Sequence, residues 1–372
     1  MELLLPGLLA DLERRCASLQ AILLALPDQA HTSAHALESY HVLELVKRDA
    51  AGLRVEPTLG ERALLGNYLR LYQRLAERVR LIEWMVMPFV VRFDAGDLFL
   101  TQLVARLIDE CAAPIRPPLV GGLSTNYYWT FPLYSVIGVP AGEVHALLGL
   151  PDLCHELGHI LLDRHEAALL GDFAVKVGTH VQAEEARLVA AQRPPAYVAS
   201  YVDHFRQWID DWLFEFVSDM VGAYIAGPAY GLQHVRLCAS LAGSVYYPTL
   251  GEAAEHPADC ARLDGVVATL NELGDVGGAH TVSSWWRDYV AISGETEPGE
   301  YSLCYPKALV NGLAKTVVAG CAALGIRSYV SVDQASLVRT FLRAWERFRA
   351  DPDNYPEYER TQILALQRQL GE

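Results

Sequence analysis

The sequence predicts a mainly helical α+β fold, in which an N-terminal helical region precedes a larger region with a small antiparallel sheet. Apolar residues recur at spacings of three and four from the N-terminus to about Pro114, which is typical of amphipathic helices. The segment from Tyr127 to Val139 is rich in aromatic and β-branched residues, which favours one or two strands. Helical spacing returns after Pro140 and continues to the C-terminus.

The stretch IRPPLVGGLSTN, residues 115–126, concentrates residues that set turns and break periodic structure. It predicts a connection, and we place the domain boundary there, with an N-terminal helical region at residues 1–118 and a second domain at 119–372. Pro132 interrupts the strand-like segment that follows, which favours an edge position for that strand.

Composition restricts the classes of partner. A formal charge of −15 and a pI near 5.2 argue against nucleic acid or anionic membrane as the main partner, because both attract basic patches. The most membrane-like stretch, residues 308–326, is interrupted by Asn311 and Lys315, so a buried core helix is expected and no membrane span.

The seven cysteines are scattered singly, without a CxxC pair that would indicate a disulfide framework or a thiolate zinc knuckle. The N-terminal apolar run is followed, and not preceded, by basic residues, unlike a secretory signal. We therefore expect a cytoplasmic protein.

The motif HELGH, residues 155–159, predicts a metal site on a helix. Histidines four residues apart lie on one side of a helix and can bind one zinc ion through their ring nitrogens. Glu156 between them is the predicted general base, because zinc lowers the pKa of a bound water to about 7 and a neighbouring carboxylate can take its proton. A helical, apolar continuation after His159 fits a buried metal-binding helix.

A catalytic zinc needs a third protein ligand, and three candidates compete for that position. His165 has the spacing of the pattern HExxHxxGxxH, but Leu162 stands where that pattern has its glycine, so the helix is expected to continue and to point His165 away. Glu184 and Glu185 are at a reachable separation but have the context of a solvated helix face.

The favoured candidate is Glu215, which forms an i, i+4 pair with Asp219 on the otherwise apolar helix WLFEFVSDMVGAYIAG. Carboxylates on such a face are costly unless they are satisfied. A zinc site would satisfy both, with Glu215 as a ligand and Asp219 accepting the free ring N–H of one metal histidine.

HELGH followed by EFVSD resembles the gluzincin metallopeptidases, whose second helix carries an ExxSD or ExxAD signature. The string HPADCAR, residues 256–262, looks like the HPxxxxR element of the HtpX-like endopeptidases and their soluble relatives. The resemblance covers roughly residues 136–265 and implies a zincin-like metallopeptidase domain. It implies the zinc ligands His155, His159 and Glu215 and the orienting residue Asp219. It also implies that His256 or Arg262 stabilises the oxyanion.

We expect a zinc-dependent peptidase that acts on a protein or peptide substrate, with the substrate added as a strand beside residues 134–139. Two alternatives stay open. One is a metal-stabilised regulatory or binding module without proteolytic activity, and the other is a metallohydrolase of small amides or esters. The spacing of 56 residues between His159 and Glu215, and Ser218 in place of the commoner alanine, indicate a divergent branch.

Overall fold

The computed structural model describes residues 4–26, 30–125, 127–241 and 243–371. Within these ranges the chain is mainly helical, as predicted. The helices before the strands are α1 Leu4–Ala25, α2 Ala30–Arg54, α3 Leu65–Leu81, α4 Met87–Arg92 and α5 Ala95–Cys111. The helices after the strands are α6 Asp152–Leu169, α7 Phe173–Ala190, α8 Pro195–Gln207, α9 Leu213–Ala226, α10 Pro228–Ser240, α11 Asp259–Glu272, α12 Val276–Ser293, α13 Tyr301–Cys304, α14 Lys307–Ala323, α15 Leu337–Ala350 and α16 Tyr355–Gly371.

The sheet is mixed, so the predicted antiparallel sheet is wrong. Its strands are β1 Leu119–Ser124, β2 Trp129–Phe131 and β3 Val136–Pro140, in the order β1-β3-β2. β1 and β3 are parallel, with Val120 opposite Ile137. The reason lies in the connection, because β2 and a short 3₁₀ turn separate the two strands and the chain reverses direction twice before β3 begins.

Two expectations about individual strands are also corrected. β1 lies in the segment that composition predicted to be a connection, and its Leu119 and Val120 are buried. β3, the strand expected to pair with substrate, is the central strand, so neighbouring strands already pair with it on both sides. The strand that Pro132 follows, β2, does lie at an edge of the sheet as predicted, and Pro132 itself begins the 3₁₀ turn Pro132–Tyr134.

The chain divides into two compact units. The first comprises residues 1–102, 118–127 and 134–141, and the second comprises residues 103–117, 128–133 and 142–372. This division differs from the single predicted boundary at residue 118. Its first break, between residues 102 and 103, falls within α5, and both β1 and β3 belong to the first unit.

In the first unit α1 packs against α2. The buried face of α1 includes Leu5, Leu9 and Leu12, at the spacing that the helical period requires. An ion pair of 2.9 Å joins Glu13 of α1 to Arg54 of α2. The amphipathic pattern read from the sequence therefore corresponds to a helix-on-helix contact.

The second unit is organised around α9. Nearly every residue of α9 is buried, and α6, α10, α11, α14 and α15 all pack against it. α8 and α9 are joined by a π-helical turn at Trp208–Trp212. Both tryptophans are buried and donate their indole N–H groups to backbone carbonyl oxygens.

The apolar stretch at residues 308–326 forms α14, whose Leu313 and Val317 are buried, as expected of a core helix. Among the described residues, no helix has the length and apolar character needed to span a membrane. All seven cysteines are free thiols.

Candidate metal centre

The motif HELGH lies in the first half of α6, where His155 and Glu156 are buried and His159 is nearly so. The helical period places the two histidine rings on one side of the helix. Their centroids are 4.7 Å apart with the ring planes nearly perpendicular, and their Nε2 atoms face each other at 3.1 Å. The motif thus presents two imidazole nitrogens to one point.

α9 brings Glu215 to the same point. One carboxylate oxygen, Oε1, lies 3.4 Å from Nε2 of His159, and the other, Oε2, lies 3.6 Å from Nε2 of His155. The Oε2 atom is buried and has no hydrogen-bond partner. Arg262 Nη2 lies 3.6 Å from this oxygen, too far for a hydrogen bond. A buried carboxylate oxygen without a hydrogen bond is costly, and a cation at the centre of the three side chains would satisfy it.

The three side chains fit a tetrahedral ion. Zinc binds imidazole nitrogen and carboxylate oxygen at roughly 2.0–2.2 Å, so two of its ligand atoms lie about 3.3 Å apart. The two Nε2 atoms are 3.1 Å apart, and each of the two carboxylate oxygens lies 3.4 or 3.6 Å from one of these nitrogens, which is close to that value. These residues, His155, His159 and Glu215, are hereafter called the first cluster.

The close approach of α6 and α9 depends on Gly158 inside the motif. A Cβ atom at this position would lie 2.7 Å from the Cα of Ser218 and 3.0 Å from its carbonyl oxygen, closer than real Cβ atoms approach backbone. Any side chain at 158 would therefore push α9, and Glu215 with it, away from the histidines. The small residues Gly158 and Ser218 are the local reason that the ligands meet.

Asp219, one turn after Glu215 on α9, contacts Nδ1 of His155, the ring nitrogen that does not face His159. Its Oδ1 is 2.9 Å from Nδ1 of His155, and Tyr230 donates its hydroxyl to the same oxygen. Arg262 completes the arrangement by donating from Nε and Nη2 to the two carboxylate oxygens, at 2.8 and 2.7 Å. With Nδ1 of His155 bound to Asp219, the lone pair of Nε2 is directed into the first cluster.

The two histidines differ in their electrostatics. Burial lowers the pKa of His155, but the hydrogen bond and charge of Asp219 outweigh burial and raise this pKa to about 9. For His159, burial together with the charge of His155 lowers the pKa to about 4. Burial acts against ionisation of Asp219 too, yet Arg262 and His155 hold its pKa well below the ordinary value.

Glu156 is the acid beside the cluster. Burial raises its pKa to about 8, and the charge of His155 opposes that effect. A divalent cation at the first cluster would lower the pKa of Glu156 from this raised value, because a nearby positive charge favours the ionised carboxylate. A carboxylate with a raised pKa next to a cation site can take and return a proton near neutral pH.

His256 and Arg262, predicted as alternatives for oxyanion stabilisation, have different surroundings. The side chain of His256 is 50% exposed, and its Nε2 lies 3.8 Å from Oε2 of Glu215, so it is beside the cluster and open to solvent. The side chain of Arg262 is 6% exposed and makes a bidentate contact with Asp219. This geometry favours an orienting role for Arg262 and leaves His256 better placed to reach a substrate.

The weaker ligand candidates lie elsewhere. The helical geometry of α6 breaks at His165, whose Nε2 is 3.2 Å from the carbonyl oxygen of Pro114. Glu184 is paired with Arg187 on α7, and Glu185 is exposed on the same helix. Among the described residues, the acid that joins the two histidines is Glu215.

The sequence did not indicate the role of Tyr230. Its hydroxyl lies 3.2 Å from Nδ1 of His155, and its ring packs against α9 at Gly222, where a Cβ atom would meet ring atoms at 3.1 Å. The available signal was a tyrosine in the first turn of α10, which follows Gly227 and begins at Pro228. The same helix carries Gln233, which donates to the buried carboxylate of Asp152 at 2.8 Å.

No protein-family model, curated protein or solved structure matches this chain. Its function is therefore inferred from the first cluster, from Glu156 beside it, and from the residues that orient them.

Proposed function

We propose that this protein is a zinc-dependent peptidase, in which Glu156 activates a water molecule for attack on a peptide bond. The observation that carries the proposal is the convergence of His155, His159 and Glu215 at separations of 3.1–3.6 Å, with the buried acid Glu156 next to them. Two imidazoles and one carboxylate are a ligand set of catalytic zinc, which keeps its fourth position open for water or substrate.

Zinc, when bound, polarises a substrate carbonyl and lowers the pKa of water to about 7. The remaining steps belong to side chains of this protein. Glu156 takes a proton from the attacking water and then donates it to the leaving amine. His256, half exposed beside Glu215, donates a hydrogen bond to the negative charge that develops on the carbonyl oxygen.

Asp219, Tyr230 and Arg262 act on His155 and not on the substrate. The carboxylate of Asp219 fixes the tautomer of His155, and Arg262 keeps that carboxylate ionised although it is buried. The choice of a peptide substrate, and membership of the gluzincins near the HtpX-like endopeptidases, rest on the resemblance of HELGH, EFVSD and HPADCAR to those proteins.

The test compares Glu156→Gln with Glu166→Gln, a matched change on the exposed face of the same helix. Zinc per chain is measured by elemental analysis, and cleavage is measured on unfolded casein and on a mixed peptide library by mass spectrometry. We expect the wild type and Glu166→Gln to cleave. Glu156→Gln is expected to lose at least about 10³-fold in rate while it retains zinc at the first cluster.

Zinc-loaded wild-type protein that cleaves no member of the library would contradict the peptidase proposal. Hydrolysis of small amides or esters under those conditions would indicate a metallohydrolase of small substrates. Retained zinc without any hydrolysis would indicate a regulatory or binding module stabilised by its metal.

A further inference from the structure

A second group of metal-ligating side chains lies in the same unit, outside the first cluster. His234 and Cys238 are one turn apart on α10, and Asp259 begins α11. Nε2 of His234 is 3.6 Å from Sγ of Cys238 and 3.6 Å from Oδ1 of Asp259. We call these three residues the second cluster.

The separations in the second cluster match those around one metal ion. With bonds of roughly 2.0–2.1 Å to nitrogen and 2.3 Å to sulfur, a tetrahedral zinc separates the two ligand atoms by about 3.5 Å. The distance of 3.6 Å between the nitrogen and the sulfur agrees with this value. The carboxylate oxygen, at the same distance from the nitrogen, fits a slightly wider angle.

An ordinary hydrogen bond does not join His234 to Asp259, because 3.6 Å is too long for an N–H···O bond of roughly 2.7–3.2 Å. The Cys238 thiol is close to both neighbours, since its Sγ lies 3.6 Å from Nε2 of His234 and it is hydrogen-bonded to Asp259. A cation bound to all three atoms would replace the thiol proton and hold the three side chains around one point.

We propose that His234, Cys238 and Asp259 bind a second divalent transition-metal ion of the zinc class. Two of the ligands are buried, while the side chain of Asp259 is 36% exposed, so the site has a polar entrance and a position for water. A neutral imidazole, a thiolate and a carboxylate together balance the charge of a divalent ion. Sulfur and imidazole ligands select zinc-like ions over magnesium and calcium, which prefer oxygen.

The second ion ties α10 to α11. These helices carry Tyr230 and Arg262, which hold Asp219 behind the first cluster. The ion would therefore act as a structural element that fixes the residues orienting His155. It takes no part in bond cleavage, and its existence does not depend on peptidase activity.

Cobalt distinguishes the two clusters, because a cysteine ligand is present in the second and absent from the first. Co²⁺ bound to a thiolate gives an intense charge-transfer absorption in the near ultraviolet, whereas imidazole and carboxylate ligands do not. We expect full-length apoprotein reconstituted with Co²⁺ to show this band. Cys238→Ser is expected to abolish it, and His159→Ala, which removes a ligand of the first cluster, is expected to leave it.

Cys260→Ser is the matched control, since Cys260 follows Asp259 directly and lies outside the second cluster. It should keep the band. Asp259→Asn changes a half-exposed side chain and retains the thiol, and it should weaken Co²⁺ binding by about 10-fold or more. The far-ultraviolet circular dichroism of each variant reports whether it is folded.

Elemental analysis then gives two zinc ions per wild-type chain and one in either Cys238→Ser or His159→Ala. Absence of the charge-transfer band in cobalt-loaded wild type would overturn the second site, as would its persistence in folded Cys238→Ser. Those results would leave the first cluster and the proposed peptidase untouched. Loss of hydrolysis in His159→Ala, with the cobalt band intact, would show that hydrolysis depends on the first cluster and not on the second.

Discussion

The two clusters have the same number of ligands but differ in what surrounds them. In the first, two imidazoles and a carboxylate meet beside the buried acid Glu156, and Asp219 behind His155 is itself held by Tyr230 and Arg262. In the second, a thiol replaces one imidazole, and the carboxylate reaches solvent. In the proposed function the first arrangement would move protons to and from a reacting water, whereas the proposed ion at the second would connect two helices.

Under these proposals, the number of ligands does not distinguish a catalytic from a structural metal site. The distinguishing features are a titratable group that can move a proton and a network that fixes the orientation of a ligand. Three substitutions at or near the first cluster test this comparison.

The largest effect is expected for Glu215→Ala, which removes the carboxylate ligand. The variant should lose zinc from the first cluster and at least about 10³-fold of its hydrolytic rate, because the metal contributes several kcal/mol to the transition state. The charge-transfer band of the second cluster should persist. Glu185→Ala, an exposed acid on α7, is the control and should keep both metals and activity. Loss of the band together with the first metal would show that the two clusters are coupled.

A smaller effect is expected for Gly158→Ala, which inserts a methyl group between α6 and α9. The clash with Ser218 should reduce the free energy of unfolding by about 1–3 kcal/mol and displace Glu215. Zinc affinity at the first cluster should fall, and cobalt absorption at the second should not change. Gly178→Ala on α7 has open space around the new Cβ atom, so it should stabilise the protein by about 0.5–1 kcal/mol. Urea unfolding and metal competition measure the two quantities.

If Gly158→Ala bound zinc as tightly as the wild type, the close helix contact would not be what places Glu215 beside the histidines.

The smallest effect is expected for Tyr230→Phe, which removes one hydrogen bond to Asp219 and keeps the ring. Residues behind a metal ligand tune affinity modestly, so zinc affinity at the first cluster should fall about 10-fold. Tyr224→Phe is the control, because it removes a buried hydroxyl of α9 that donates to the carbonyl oxygen of Ile326. It should lower the free energy of unfolding without changing zinc affinity. Equal zinc affinities in the two variants would show that the Tyr230 hydroxyl does not help to orient His155.

The local part of the first cluster was readable in the sequence. HELGH lies on a helix with its histidines on one side because 3.6 residues make a turn, and the same period places Glu215 and Asp219 on one face of α9. The choice of Glu215 over His165 used the absence of a glycine at Leu162, and the structure places Glu215 with the histidines and His165 against Pro114.

Errors arose where the outcome depended on partners distant in the chain. The glycine-rich stretch of β1 has the composition of a loop, yet it forms a strand because it pairs with β3. The same pairing makes the sheet mixed, a property that no local pattern encodes. No local pattern indicated that Cys238 approaches His234 and Asp259, because no two cysteines share a motif.

The sequence by itself determined the helical periods, the histidine pair on α6 and the carboxylate pair on α9, because each depends on neighbours within one turn. Only the tertiary structure decided that Glu215, 56 residues after His159, reaches the histidines, that Arg262 is committed to Asp219, and that Cys238 meets Asp259 across 21 residues. The physical reason is that these meetings depend on how closely buried helices pack, which small residues such as Gly158 permit but do not specify.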